Sequence, residues 1–295
     1  MLTRRHVFGG SWTQEKLERV RKYLAAYTKI FAKNPKAKTL TTIYVDAFAG
    51  TGYRTASRQK SDQSLWFPEI METDVDEFLK GSARIALEVD PPFKQYLFIE
   101  QSSRYAEELS KLKAQFSNKS VDIVRTDANI YLKQWCAEVD WRRYRAVMLL
   151  DPYGMQVEWS LIETIARTQA VDLWILFPLG AAVSRLLTKI EPPPDEWAQA
   201  LTRIFGTDEW RKAFYSKQKI QTLFGEEEVQ IKDADFDKIG RFFVRRLKTV
   251  FADVAENPLP LRNSKNVPLY LLCFAASNPK GAQTAIKIAQ DLLRR

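Results

Sequence analysis

Between residues 41 and 177, five short apolar runs alternate with segments of helical period, and no other feature narrows the fold as far. The runs are "TIYVDAF", "QYLFIE", "VDIVRT", "AVMLLD" and "VDLWILF", separated by "VDEFLKGSARIALEV", "SRYAEELSKLKAQF", "ANIYLKQWCAEV" and "EWSLIETIART". Strands interleaved with helices pair in parallel through crossovers, so the pattern predicts an α/β fold: a parallel sheet covered by helices on both faces. Upstream, Leu17, Val20, Leu24, Tyr27 and Phe31 share one helical face, with Thr13 as its cap. Past Phe177 the pattern changes. Residues 179–235 read as a helical insertion, a cap for substrate or partner, in which Trp197 and Trp210 sit at core spacing. The chain then returns as helix, strand, turn and strand, closing with "VPLYLLCFAAS" as half of an antiparallel hairpin and a final helix. The expected organisation is an N-terminal helical segment over 1–40, an α/β domain over 41–178 and 236–295, and the insertion between.

Four of the five strands end on or beside an acid: Asp46, Glu100, Asp127 and Asp151. Ligands of open α/β sheets sit at the carboxyl ends of the strands, where the order reverses, so these side chains are expected to face one crevice. The first strand also runs into a glycine turn, "DAFAGTG". That turn has neither the spacing nor the lysine of a P-loop, and Thr55 stands where a dinucleotide fingerprint needs its third glycine. Four carboxylates would also repel a pyrophosphate. The expected ligand is therefore cationic or rich in hydroxyls, and S-adenosylmethionine, with its ammonium, sulfonium, ribose diol and adenine amine, has that character. For each acid taken alone, capping and turn chemistry at a strand end is the alternative.

"VDAFAGTG" resembles the first motif of class I S-adenosylmethionine-dependent methyltransferases, in the form found in amino-methylating members. The phrases "HVFGGSWT", "DAFAGTG", "FLKGSARIALEV", "DPYGMQVEWSLIE", "DLWILFPLG" and "SNPKGA" together are similar to the three-Cys-motif partner family, across nearly all of the chain. The resemblance implies a Rossmann-like class I methyltransferase sheet of order 3-2-1-4-5-7-6, with its last strand antiparallel, and a companion three-Cys-motif protein. It supplies no substrate. Carried onto this sequence, it implies that Gly50 and Gly52 let the backbone approach the methionine part of the cofactor, where a β-carbon would obstruct it. Asp46 would accept from the ammonium, Glu100 from the ribose hydroxyls and Asp127 from the adenine amine, with Phe48 and Ala128 as further cofactor contacts. Glu100 lies 48 positions after Gly52, against about 20 in a compact dinucleotide fold, so residues 54–73 are expected to loop over the site.

Asp151-Pro152-Tyr153-Gly154 resembles the strand-four motif of amino methyltransferases, with its aromatic one position early. Asp151 and the Pro152 carbonyl would orient an exocyclic base amine, and Tyr153 would stack on the base. A plain turn is the alternative. Neither cysteine follows a proline at the end of strand four, which argues against C5-pyrimidine chemistry.

Charge bears on the acceptor. Residues 1–40 carry ten Lys and Arg against two Asp and Glu, and residues 241–295 carry ten against three, whereas the remainder is net acidic. Basic ends suit a polyanion, and Arg54 and Arg58 are placed to meet a phosphate backbone; a solvated surface explains the same charges. A single histidine, His6, and two distant cysteines, Cys136 and Cys273, argue against a metal site and for buried thiols. The start of the chain lacks a signal-peptide core and no apolar run approaches a membrane span, so the expected location is the cytoplasm. The expected activity is N-methylation of a nucleic-acid base amine with S-adenosylmethionine. The alternatives are a non-catalytic methyltransferase-fold subunit binding cofactor or nucleic acid, and a small-molecule methyltransferase.

Overall fold

The computed structural model describes residues 11–47, 81–152, 154–222 and 225–294. It opens with α1 (Ser11–Lys33), a short α2 (Pro35–Lys38), β1 (Thr41–Ala47), a helix over residues 81–88 (α3), β2 (Gln95–Ile99) and α4 (Ser103–Gln115). There follow β3 (Val121–Val124), α5 (Ala128–Glu138), β4 (Tyr144–Leu150), α6 (Trp159–Arg167) and β5 (Val171–Phe177). A π-helical turn (Leu179–Val183) leads to α7 (Ser184–Leu186), α8 (Asp195–Phe205), α9 (Trp210–Phe214), β6 (Tyr215–Thr222) and β7 (Gly225–Lys232). The chain closes with α10 (Phe236–Lys248), β8 (Asp253–Val254), β9 (Leu259–Arg262), β10 (Pro268–Ala276) and α11 (Ala282–Leu293).

The main sheet runs β3-β2-β1-β4-β5-β10, and the short β8 and β9 share the outer edge of β10. The first five pair in parallel, and β10 is antiparallel to β5. This is the expected methyltransferase-type order, with β10 as the seventh strand and β8 and β9 dividing the place of the sixth. Because side chains alternate along a strand, each strand contributes to two cores. Val45, Met148, Leu173 and Cys273 face α5, α6, α8 and α10, whereas Tyr44, Phe98, Leu149, Trp174 and Phe274 face α1, α3, α4 and α11. Asp46, Glu100, Asp151 and Asp172 share the parity of the second set, so they lie on the side that α1 covers.

The apolar stripe of α1 packs as its period requires: Val20, Leu24 and Tyr27 are buried, and Leu17 and Phe31 partly so. Thr13 lies inside α1, buried and without a hydroxyl partner among the described residues, and so does not cap it. The stripe also takes in Lys16 and Tyr23, each almost fully buried. The Tyr23 hydroxyl donates to Asp172 Oδ2 at 2.6 Å, and burial pushes the Asp172 carboxyl up to about 6 while that bond and Arg145 draw it back.

Residues 179–235 are not wholly helical. The second half is the β6–β7 hairpin, with Lys217 to Glu228 at 2.6 Å and Lys219 to Glu226 at 3.1 Å as diagonal ion pairs. "YSKQKIQT" and "GEEEVQIK" carry too few apolar residues to alternate, so a strand signal is absent from the sequence. Trp210 is fully buried, its indole N–H on Thr202 at 3.0 Å, as a core residue should be. Cys136 and Cys273 are free and buried, with burial raising both thiols, Cys136 to about 12. Among the described residues, no helix is long and apolar enough to cross a membrane and no cluster of His, Cys, Asp and Glu could hold a metal.

Candidate functional site

Asp46 is the penultimate residue of β1, in register with Phe98 of β2 and Leu149 of β4. Glu100 and Asp151 each follow the last residue of those neighbours. Central position and parallel pairing therefore bring the three acids to one end of the sheet and to one face.

Asp46 is completely buried; its Oδ2 accepts from the Tyr44 hydroxyl at 3.1 Å, and its Oδ1 has no partner among the described residues. Burial pushes its carboxyl up to about 7, and the charge of Asp151 adds to that; the Tyr44 hydroxyl, the Lys16 charge and the nearby Ser82 hydroxyl oppose it. Ser82 Oγ lies close without completing a hydrogen bond of good geometry. Glu100 is also completely buried. Its Oε1 accepts from the Ser102 N–H at 2.5 Å, and its Oε2 has no partner among the described residues. Burial lifts Glu100 to about 8, the backbone N–H groups of Ser102 and Gln101 pull it back, and the Asp46 charge raises it. A buried acceptor without a donor costs roughly 1–3 kcal/mol, so two such oxygens at the ends of adjacent strands mark a place where a ligand's donors would be welcome.

Asp151 is held differently. Lys16 Nζ, arriving from α1, donates to Oδ1 at 3.0 Å and to Oδ2 at 2.8 Å, with the two side chains only 2% and 7% exposed. Burial pushes Asp151 up and Lys16 down, and each partner's charge and hydrogen bonds oppose the shift in the other. Removing one member of such a buried pair typically costs about 3–5 kcal/mol. The Trp12 ring lies 5.2 Å from Lys16 Nζ and stacks on Tyr270 at 5.6 Å, which closes the apolar wall around the ammonium. Beyond Asp151, Pro152 is buried and Gly154 takes a φ of 74°, a turn that a side chain would strain.

Asp127 is held by its own helix. It caps α5, its Oδ1 accepting from the Ile130 N–H at 3.1 Å, so the local chemistry expected of a strand-end acid is present, and Oδ2 makes no hydrogen bond among the described residues. Ala128 is the buried first residue of α5. Asn129 ties the α5 start to the segment after β4, donating to the Gln156 carbonyl at 2.9 Å and accepting from the Glu158 N–H at 3.0 Å. Phe48, Gly50, Gly52, Arg54, Arg58 and Tyr153, together with the 54–73 segment, lie outside the described residues.

Sequence reasoning missed Lys16. Its signal was a lysine in step with Val20, Tyr23 and Tyr27, on a face otherwise apolar, where a charge persists only if a counter-charge meets it.

The chain is similar, at 11% identity and a TM-score of 0.37, to the N-terminal domain of EvdMO1 with SAH bound, over 89% of this chain and 81% of that one. It is similar at 10% identity and 0.36 to an S-adenosylmethionine-dependent methyltransferase from Clostridium acetobutylicum, over 86% and 90%. A third similarity is to the glycopeptide N-methyltransferase MtfA complexed with S-adenosyl-L-homocysteine, at 10% and 0.32, over 86% and 89%. Similarities of this size carry no weight on what this chain acts upon. No family model matches the chain, and no curated protein matches it.

Proposed function

We propose that this chain binds S-adenosylmethionine at the carboxyl ends of β1 and β2 and transfers its methyl group to an amine acceptor. The observation that carries the reading is a pair of buried oxygens, Glu100 Oε2 and Asp46 Oδ1, that have no partner among the described residues and lie on neighbouring strands of a methyltransferase-type sheet. A nucleoside with hydroxyl and ammonium donors fits that need, and a polyphosphate does not. Glu100 would take the ribose hydroxyls, Asp46 the ammonium, and the remaining oxygen of Asp127 the adenine amine. When bound, the cofactor supplies an electrophilic methyl on sulfur. The chain's own part is to hold and aim: Asp151 and the Pro152 carbonyl accept the hydrogens of the acceptor amine and fix its lone pair in line, so proximity and orientation provide most of the acceleration.

The acceptor we infer is an exocyclic base amine of a nucleic acid, with Tyr153 stacking on the base and a companion three-Cys-motif protein presenting it. The strand-four motif and the basic chain ends support this finer reading. One observation favours a second, in which the chain is the non-catalytic, cofactor-binding subunit of a two-protein system: Asp151 already has both oxygens on Lys16. Calorimetry with S-adenosylmethionine, followed by transfer of a tritiated methyl group to RNA, DNA or a metabolite extract with and without the companion, separates the possibilities. Absence of binding heat sinks both readings; binding without transfer to any acceptor leaves the second; label in the metabolite fraction alone makes the acceptor a small molecule.

A further inference from the structure

Of the three buried acids on the α1 side of the sheet, Asp46 and Glu100 each keep an oxygen without a partner among the described residues, whereas Asp151 has both oxygens on one ammonium. That ammonium has little freedom to leave. Two turns further along α1, the Tyr23 ring packs on Trp174 at 5.4 Å and on Phe274 at 4.7 Å, and its hydroxyl is bonded to Asp172. On its other side stands Trp12, itself stacked on Tyr270. The lysine is thus delivered by a helix anchored at the opposite end of the sheet.

We propose that Lys16 is a positioning residue: it supplies the counter-charge that lets Asp151 be ionised at this depth, and it fixes the plane of the carboxylate that meets the acceptor amine. The proposal rests on the reading of Asp151 given under Proposed function. A carboxyl buried without a partner takes up a proton, and a protonated acid is a weaker acceptor for the hydrogens of an amine. Among the described residues, the groups facing Asp151 are Lys16 from α1, Asp46 and Tyr44 from β1, and Tyr270 from β10, with Arg185 of α7 acting on Tyr270. Asp46 repels the charge, and the tyrosines bear none at neutral pH. Among these groups, Lys16 is the cation whose hydrogen bonds reach the carboxylate.

The test uses the full chain as wild type, Lys16→Met, Lys16→Arg, Asp151→Asn and the Lys16→Met/Asp151→Asn double variant. Melting temperatures at pH 8 should show losses that do not add: the double variant, which leaves no lone buried charge, melts above Lys16→Met, and Lys16→Arg recovers part of the loss. The excess loss in Lys16→Met should shrink as the pH falls and Asp151 takes a proton. A Lys16→Met protein too unstable to purify beside a folded double variant is the same non-additivity. In the transfer assay, Lys16→Met should lower kcat about 100-fold, the scale of a misplaced reacting group. It should also move the acid limb of the kcat profile to higher pH and leave cofactor affinity within a few-fold. Additive melting losses, or wild-type kcat with an unmoved acid limb, overturn the proposal. A wild-type protein that binds no cofactor sinks the methyltransferase reading, while the melting cycle still decides whether Lys16 holds Asp151.

Discussion

Glu100 is completely buried, with one oxygen bonded and the other without a partner among the described residues, and its behaviour with pH follows first from that burial. Its folded value of about 8 and that of Asp46, about 7, both stand above the ordinary carboxylate range. Between the unfolded and folded values the native chain holds protons that the unfolded chain has released, so stability falls as pH rises from about 4.5 to 8. The melting temperature of the ligand-free protein should be several degrees higher at pH 5 than at pH 8, and Glu100→Gln should narrow the gap, as a thermal scan against pH will show. In the proposed cofactor site the same side chain would act as an acceptor. Glu100→Ala should weaken S-adenosylmethionine binding about 10- to 100-fold by calorimetry, the worth of a hydrogen bond to a charged group. Asp46, Glu100 and Asp151 were legible as a set because acids at strand ends share an edge by construction. The bond from Asp127 to its own helix was a local alternative that the sequence left open, and Lys16 was hidden because counting apolar residues skips a charged one.

Among the elements, α1 does more than its amphipathic pattern requires, since its buried face brings a lysine to Asp151 at one end of the sheet and a tyrosine to Asp172 at the other. Tyr23→Phe leaves a buried carboxyl without its donor and should cost about 1–3 kcal/mol in urea unfolding. The π-helical turn after β5 is similarly constrained. A β-carbon on Gly180 would meet the Pro268 carbonyl oxygen of β10 at 2.1 Å, a backbone contact that cannot yield cheaply. Gly180→Ala should therefore lower stability by about 2–3 kcal/mol and the melting temperature by several degrees. Five strands and their crossover helices were legible from period alone. The β6–β7 hairpin was not, because its strands are held by exposed cross-strand charges and bury no alternating face.

For the molecule as a whole, the arrangement of charge is informative. The lysines of α2 and the end of α1 lie where β1 begins, with Lys94 Nζ bonded to the Lys38 and Leu40 carbonyls at 3.1 and 2.7 Å. The acids stand where β1 ends, six residues after its start, about 20 Å away at the rise of a strand. A nucleic acid held by that basic edge would have to span the sheet to reach Asp151. Binding of RNA or DNA through it should weaken steeply between 50 and 200 mM salt in fluorescence anisotropy. Lys36→Glu with Lys38→Glu should reduce that binding and leave the cofactor affinity unchanged; salt-insensitive binding would make these lysines a solvated surface only. The order of the strands, the two covered faces and the gathering of acids at one edge were determined by the sequence itself, because hydrophobic period sets the elements and parallel crossovers set where their ends lie. Which acid meets a counter-charge was decided only in three dimensions: a lysine 135 positions away along the chain leaves no periodic trace, and contact between α1 and β4 exists only once both have packed on the same sheet.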